Sequence, residues 1–436
     1  MKRNLDYLLL GAILITILFG IITLYSATYS TGAKTSLLWK RQLIWIGIGS
    51  ITMLFAILFD YQTLGRYAHI IYGVSLFLLV LVLLVGTTIR HTKGWFVLGP
   101  LSFQPSELAK ITTILMLATY LQNKRDRLNE LTSLIIPLII AGAPILLIMK
   151  QPDLGTATTF LPAFLGMLYV AGARERHLIS FITIGALAFL LPLVRSWTKF
   201  KPEAVTPFLK MILKYSENIG YILISFFLLL LVMFILWHLL RIVGITLSLR
   251  DLLGGYTIVV IGILFSFVLN VSLKDYQQRR LLVFLSPDVD PLGTGYSVIQ
   301  SKIAIGSGCL LGRGLFSGTQ SRLGFLPECG TDFIFSTISE EWGFIGVLII
   351  FSLFLIIISR GFHIADTSRE IFGTLLAIGI TTTIAAQVLL NVGMTAGILP
   401  VVGIPLPLIS YGGSSLVITM TALGVLLNIR LRQFLA

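Results

Sequence analysis

Apolar stretches of roughly 20 residues recur along the 436-residue chain, separated by shorter polar segments. A helix of that length crosses about 30 Å of hydrocarbon while satisfying its own backbone hydrogen bonds, so the pattern predicts membrane-spanning helices. Spans are expected at 6–27, 42–60, 67–88, 106–122, 133–150, 156–173, 178–194, 218–241, 254–273, 342–359, 371–391 and 410–429. The fold class is therefore an all-α polytopic membrane protein, a bundle of about 10–12 transmembrane helices with a large extracytoplasmic loop. Met1, Lys2 and Arg3 precede the first span without an A-x-A-like cleavage site, so this span reads as a retained helix.

Basic residues set the orientation. They crowd Lys124-Arg125-Asp126-Arg127, Arg174-Glu175-Arg176-His177 and Arg430-Leu431-Arg432, which should be cytoplasmic, as should both termini. The segment 274–341 then lies on the outer face. Arg195, Lys199, Lys201, Lys210 and Lys214 also fall outside in this scheme, against the positive-inside tendency. Either the rule is locally broken or the helices at 178–194 and 218–241 do not both span. Removing the two together leaves every later loop on the same side.

Composition excludes a soluble globule, since 56% of residues are hydrophobic and only 12% are charged. The 32 Lys+Arg against 19 Asp+Glu would suggest nucleic acid in a soluble protein. In a polytopic chain the excess points instead to anionic lipid, and no nucleic-acid partner is expected. Cys309 and Cys329 have no CxxC or histidine companions, so no metal framework follows from them, and their pairing stays open. Trp39, Trp45, Trp95 and Trp342 fall near expected interfaces, where an aromatic belt accounts for them.

The polar exceptions carry the chemistry. Glu107 and Lys110 share one face of a helix at i,i+3 inside an apolar span, where isolated charges are costly and usually line a bundle interior or an aqueous cavity. A structural ion pair is the plainer reading. Asp153 ends a helix near Lys150 and is expected to face the same outer cavity or a plain interface after Pro152. Pro400, Pro405 and Pro407 with Gly412, Gly413, Ser414 and Ser415 should break a helix near membrane depth, as a cavity wall or a tight helix contact. The segment 274–341 is far longer than a connection needs, and it carries Arg279, Arg280, Asp288 and Asp290. An aspartate before proline often caps a turn. Adjacent arginines suit pyrophosphate or carboxylate, or a solvated interfacial pair.

Several distinctive blocks run in order from about residue 90 to 420. They are Phe103-Gln104-Pro105-Ser106-Glu107-Leu108-Ala109-Lys110, Gln151-Pro152-Asp153-Leu154-Gly155-Thr156-Ala157, and Asp290-Pro291-Leu292-Gly293-Thr294-Gly295-Tyr296. Further along come Gly318-Thr319-Gln320-Ser321, and Phe325-Leu326-Pro327-Glu328 with Thr331-Asp332-Phe333-Ile334-Phe335. The last runs from Asn391-Val392-Gly393-Met394 to Gly403-Ile404-Pro405 and Ser410-Tyr411-Gly412-Gly413-Ser414-Ser415. These blocks and their order resemble the landmarks of the RodA/FtsW/SpoVE (SEDS) family, and the Gly-Thr-Gln-Ser form and the short N-terminus favour the RodA branch.

The resemblance implies one transmembrane domain over 1–436, a glycosyltransferase that polymerises lipid II at the outer face of the bacterial inner membrane during cell elongation. The acceptor 4-hydroxyl would attack the anomeric carbon with inversion as undecaprenyl pyrophosphate departs. It implies Asp290 as catalytic base, with Asp288 as the second candidate, and substrate-binding roles for Glu107, Lys110, Asp153, Arg279, Arg280, Glu328 and Asp332. A divalent cation, Mg2+ or Mn2+, would assist departure, with unknown ligands and no organic cofactor. The implied partners are membrane lipid, the elongation machinery and a class B penicillin-binding protein transpeptidase packed near 342–391. Departures from the family pattern are a 178–250 insertion with extra helices, and Cys309 and Gly330 where Gly and His are expected. The rival reading is a lipid II flippase, for which a second broken helix in the other half would be the pointer.

Overall fold

The computed structural model describes residues 5–29, 37–89, 92–99, 101–125, 128, 130–200, 219–242, 248–272, 280, 283–284 and 293–433. Each of the twelve apolar runs is a helix. They are α1 (Tyr7–Thr28), α2 (Leu38–Leu58), α4 (Ala68–Val85), α5 (Pro105–Lys124), α6 (Ile135–Lys150), α7 (Leu154–Ala171), α8 (Glu175–Phe200), α9 (Ile219–Ile242), α10 (Leu249–Ser272), α13 (Ile334–Thr367), α14 (Ile371–Thr395) and α15 (Gly413–Arg432). Short helices fill three connections: α3 (Tyr61–Arg66), α11 (Thr294–Ser307) and α12 (Thr319–Arg322). Among the described residues, 10 helices are long and apolar enough to cross a membrane. The other two of the twelve are α5, with its internal charges, and α9, whose apolar stretch is Phe226–Leu239. The chain is a multi-pass membrane protein.

Residues divide into two compact units, Met1–Arg174 with Ser297–Ala436, and Glu175–Tyr296. In the second unit α8 packs along α10, and the Tyr256 hydroxyl donates to the Phe226 carbonyl at 3.1 Å, tying α10 to α9. The expected insertion falls within this unit, and residues 201–218 of the anomalous basic stretch lie outside the described residues.

In the first unit α2 lies along α15, α14 against α13 and α7, α4 against α5, and α1 against α13. Hydrocarbon offers no hydrophobic force to bring helices together, so close backbone approach does that work. At the α2–α15 contact a Cβ on Gly424 would come within 2.6 Å of the Met53 carbonyl oxygen. Two polar contacts join α1 to α13 at opposite ends. Asp6 caps α1 by accepting from Leu9 N at 3.0 Å and pairs with Arg360 at 2.6 Å, while the Ser26 hydroxyl donates to Glu341 at 2.6 Å. The Asp6–Arg360 end also holds Asp60–Arg432 at 3.4 Å, and Asn428 Nδ2, which donates to the Ile57 and Phe59 carbonyls at 2.6 Å each.

Two features differ from the expected pattern. The 89–105 connection folds as an antiparallel sheet, β1 (Thr87–Ile89), β2 (Thr92–Leu98) and β3 (Leu101–Phe103), because its β-branched and aromatic residues flank a turn at Gly99, φ 61°. The helix expected at 342–359 starts at Ile334 and breaks at Gly343, φ 64° and ψ −161°. The segment from Cys309 to Gly314 satisfies the backbone groups that the break frees. Arg313 N and Gly314 N donate to the carbonyls of Glu340 and Glu341 at 2.9 and 3.0 Å, while Phe344 N and Ile345 N donate to those of Cys309 and Leu310 at 2.9 and 3.2 Å.

A Cβ at Gly343 would fall on the Gly312 backbone, in a φ region that disfavours side chains. Gly343→Ala is expected to cost at least about 1–3 kcal/mol, the scale of one strained backbone position. Its thermal midpoint in detergent should drop, whereas Gly11→Ala, with nothing within 4 Å of the added carbon, should hold or raise it.

Candidate active site

The first unit gathers four of the family-like blocks near the start of α5 and α7. Gln104 is extended and Pro105 opens α5, where a missing N–H costs nothing. One turn on, Glu107 and Lys110 pair at 2.8 Å with side chains only 4% and 6% exposed. Burial this complete makes the pair a fixed internal dipole rather than a solvated contact. Glu107 Oε2 has no other described partner.

Asp153 was expected to end the preceding helix. It caps the next one instead, because the chain turns at Gln151 and Pro152 and its carboxylate accepts from Thr156 N at 3.0 Å and Thr156 Oγ1 at 2.7 Å. Gln104 Nε2 donates to the same carboxylate at 3.0 Å. Burial pushes the Asp153 carboxyl above the ordinary aspartate range, the Thr156 hydrogen bonds oppose it, and Glu107 and Lys110 act on it in opposite senses. Gln104, the residue before α5, thus ties Asp153 to the helix that carries Glu107 and Lys110.

The C-terminal block walls this centre. Ser414 Oγ, at the start of α15, accepts from Gln104 N and donates to the Ser102 carbonyl, both at 3.0 Å. Gly155 lies against the Val402 backbone, where a side chain would collide. Asn391 Nδ2 donates to the carbonyls of Asp332 and Ile404 at 2.9 and 2.7 Å. Ser410 Oγ donates to the Thr331 carbonyl at 2.6 Å, and Tyr411 N to that of Gly330 at 2.9 Å. A Cβ at 330 would sit 3.0 Å from Leu24 Cδ1, which suits glycine in place of the expected histidine.

Glu328 and Asp332 lie in the turn that leads into α13. Glu328 has φ 59°; its carbonyl accepts from Thr331 N and Phe333 N at 3.0 and 3.2 Å, and its carboxylate from Thr331 Oγ1 at 2.9 Å. Asp332 is held through its carbonyl by Asn391. Arg280 is half-buried, while Arg279, Asp288 and Asp290 lie outside the described residues.

Glu340 was expected only to lead into a helix. It is fully buried and accepts from the backbone N–H of Thr319, Gln320 and Ser321 at 2.6, 2.8 and 3.3 Å. Cys309 and Cys329 are free thiols, and burial first among the causes pushes that of Cys329 up to about 11. Among the described residues no three His, Cys, Asp or Glu side chains converge as a metal site. The carboxylates of Glu107 and Asp153 are already engaged by Lys110, Thr156 and Gln104, so this donor set does not fit a divalent cation.

A family model described as "Cell cycle protein", for FtsW, RodA and SpoVE, matches residues 6–225 and 204–433. The chain is 37% identical to the peptidoglycan glycosyltransferase RodA of Treponema pallidum over 437 residues, covering 99% of this chain and 98% of that one. It is 33% identical to the stage V sporulation protein E of Bacillus subtilis over 435 residues, covering 98% and 97%. A chain of a peptidoglycan synthase complex, solved for its coordination of polymerization and crosslinking, matches at TM-score 0.69 and 28% identity over 100% of both chains. RodA of Thermus thermophilus shares the fold, with TM-score 0.62 and 24% identity over 99% of this chain and 98% of that one.

Proposed function

The chain belongs to the FtsW/RodA/SpoVE (SEDS) family, and from that premise we propose that it is a peptidoglycan glycosyltransferase polymerising lipid II during cell elongation. Its place is the bacterial inner membrane, with both termini cytoplasmic and 274–341 as the extracytoplasmic catalytic loop. The observation that carries the reading is the buried Glu107–Lys110 pair, with Asp153 bonded to Gln104 at the start of the same helix, where the family-like blocks meet.

Asp290 takes the proton of the acceptor 4-hydroxyl as its oxygen bonds to the anomeric carbon of the donor. The bond from that carbon to the pyrophosphate oxygen breaks, the electron pair leaves with undecaprenyl pyrophosphate, and the configuration inverts. Pyrophosphate is a good leaving group once its charge is met, so no second acid is required. Lys110, Arg279 and Arg280 supply positive charge to lipid-linked phosphates; Glu107 holds Lys110 in place, and Asp153 takes a substrate-binding role. Glu328 and Asp332, within the 274–341 loop, take substrate-binding roles. A divalent cation would add charge neutralisation, but the described residues do not form its site and no step depends on it.

A class B penicillin-binding protein would pack near 342–391. The exposed Phe344, Leu348 and Leu355 of α13 and Leu389 of α14 give it an apolar face. The extra helices of the 178–250 insertion add a further docking element for the elongation machinery.

A buried ionic centre also suits a lipid II flippase. The purified chain with its transpeptidase partner, lipid II and Mg2+ separates the two readings. Glycan strands resolved on a gel are expected, and translocation of labelled lipid II across liposomes without polymer would replace the polymerase reading with transport.

A further inference from the structure

The segment 308–325 is pinned at a depth that the α1–α13 contacts define. Asp6–Arg360 and Ser26–Glu341 lie 20 residues apart on α1 (26 − 6), about 30 Å along a helix and so the thickness of the hydrocarbon. The hydrogen bonds from Phe344 N and Ile345 N to Cys309 and Leu310 set the loop level with residues just past Glu341, inside that boundary by about 5 Å.

At this depth the tip presents leucine rather than polar side chains. Leu310 and Leu311 are 67% and 78% exposed, beside Phe344 and Ile345 of α13 at 53% and 47%. The backbone around them is tied to protein: Ile345 N donates to the Leu310 carbonyl at 3.2 Å, Gly312 N to the Gly308 carbonyl at 2.8 Å, and Arg313 N and Gly314 N are bonded to α13. Gly312 and Gly314, at φ 79° and 92°, make the reversal that lets the hook return. Irregular backbone held against protein in this way can sit at membrane depth.

Charge and aromatic placement agree with this depth. From Gly293 to Pro327 the chain carries Lys302, Arg313 and Arg322 and no acidic residue. Arg313 engages Thr319 Oγ1 and the Ser307 carbonyl, two bonds among the five N–H donors of a guanidinium. Leu323 and Phe325, exposed at 65% and 46%, flank Arg322. Phe316 packs on Tyr25 and Tyr29 at 5.7 and 5.5 Å, Tyr25 on Trp39 at 5.2 Å, and Lys40 lies 5.6 Å over the Trp39 ring. Such rings mark a membrane–water interface.

We infer that 308–325 is an interfacial membrane hook, with Leu310 and Leu311 in the acyl region of the leaflet at the Ser26–Glu341 end, and Arg313 and Arg322 on the phosphate of an anionic phospholipid. The reading rests on membrane residence alone, independently of the proposed reaction.

The test places a nitroxide at Leu311→Cys, with Cys309→Ser and Cys329→Ser, in vesicles of phosphatidylcholine and phosphatidylglycerol without lipid II. Collisions with oxygen should exceed those with a water-soluble nickel chelate, as at Leu348→Cys on the exposed face of α13. A nickel-accessible label would overturn the hook, and a label that becomes shielded only when the transpeptidase is added would make this a protein-docking surface instead. In native mass spectrometry Arg313→Gln should weaken retention of phosphatidylglycerol, and not of phosphatidylcholine, by about five-fold, the factor for one basic residue at an anionic surface. Equal retention by wild type and variant would overturn the arginine assignment.

Discussion

Asp290→Asn is expected to slow glycan polymerisation by about 10²–10⁴-fold, the contribution of a positioned general base. Asparagine keeps the size and hydrogen-bonding shape of the side chain but cannot accept the hydroxyl proton, so the nucleophile enters the displacement uncharged and weak. Binding of lipid II should change little, because the proton moves only in the transition state, and the loss should fall on kcat rather than KM. Asp288→Asn should leave most of the rate, since only one base is needed once pyrophosphate carries the electrons away. Timed polymerisation of lipid II by both variants, beside their thermal midpoints, gives the answer. Equal strand synthesis by Asp290→Asn and wild type would remove Asp290 from the chemistry.

Helices were the most legible part of the fold because a span must be apolar over a length the bilayer dictates: all twelve runs are helices, and ten of them are long and apolar enough to cross a membrane among the described residues. The Glu107–Lys110 pair was legible for the converse reason: charges three residues apart inside such a run demand each other. The break at Gly343 was not, since Phe344 to Ile350 continues the apolar pattern and the break is set by distant backbone at 309–314. Glu340 and Glu341 were placed outside the helix by the ordinary cost of buried charge. Three backbone donors at 319–321 and the Ser26 hydroxyl offset that cost, and no local pattern announces partners 20 and 315 positions away. The Gly-Thr-Gln-Ser block shows how a motif can be recognised without its physics, for its role here is to cradle Glu340. Asp153 was assigned to the end of the preceding helix, because Pro152 disguised a capping residue as an ending.

The Lys110–Glu107 pair allows its structural and chemical roles to be separated. Lys110→Met leaves a carboxylate 4% exposed with its cation removed, and breaking a buried pair in this way typically costs about 3–5 kcal/mol. A clear drop in thermal midpoint is therefore expected. Adding Glu107→Gln removes the orphaned charge, and because buried pairs are nearly neutral against uncharged replacements, the double variant should regain most of the lost stability. Polymerisation should not return with it, since no ammonium remains on α5 to meet lipid-linked phosphate. Lys110→Arg keeps the charge but needs room for a planar fork, so it should retain partial activity at a raised KM. A double variant that regains both its midpoint and its rate would reduce the pair to scaffolding, and leave the phosphates to Arg279 and Arg280.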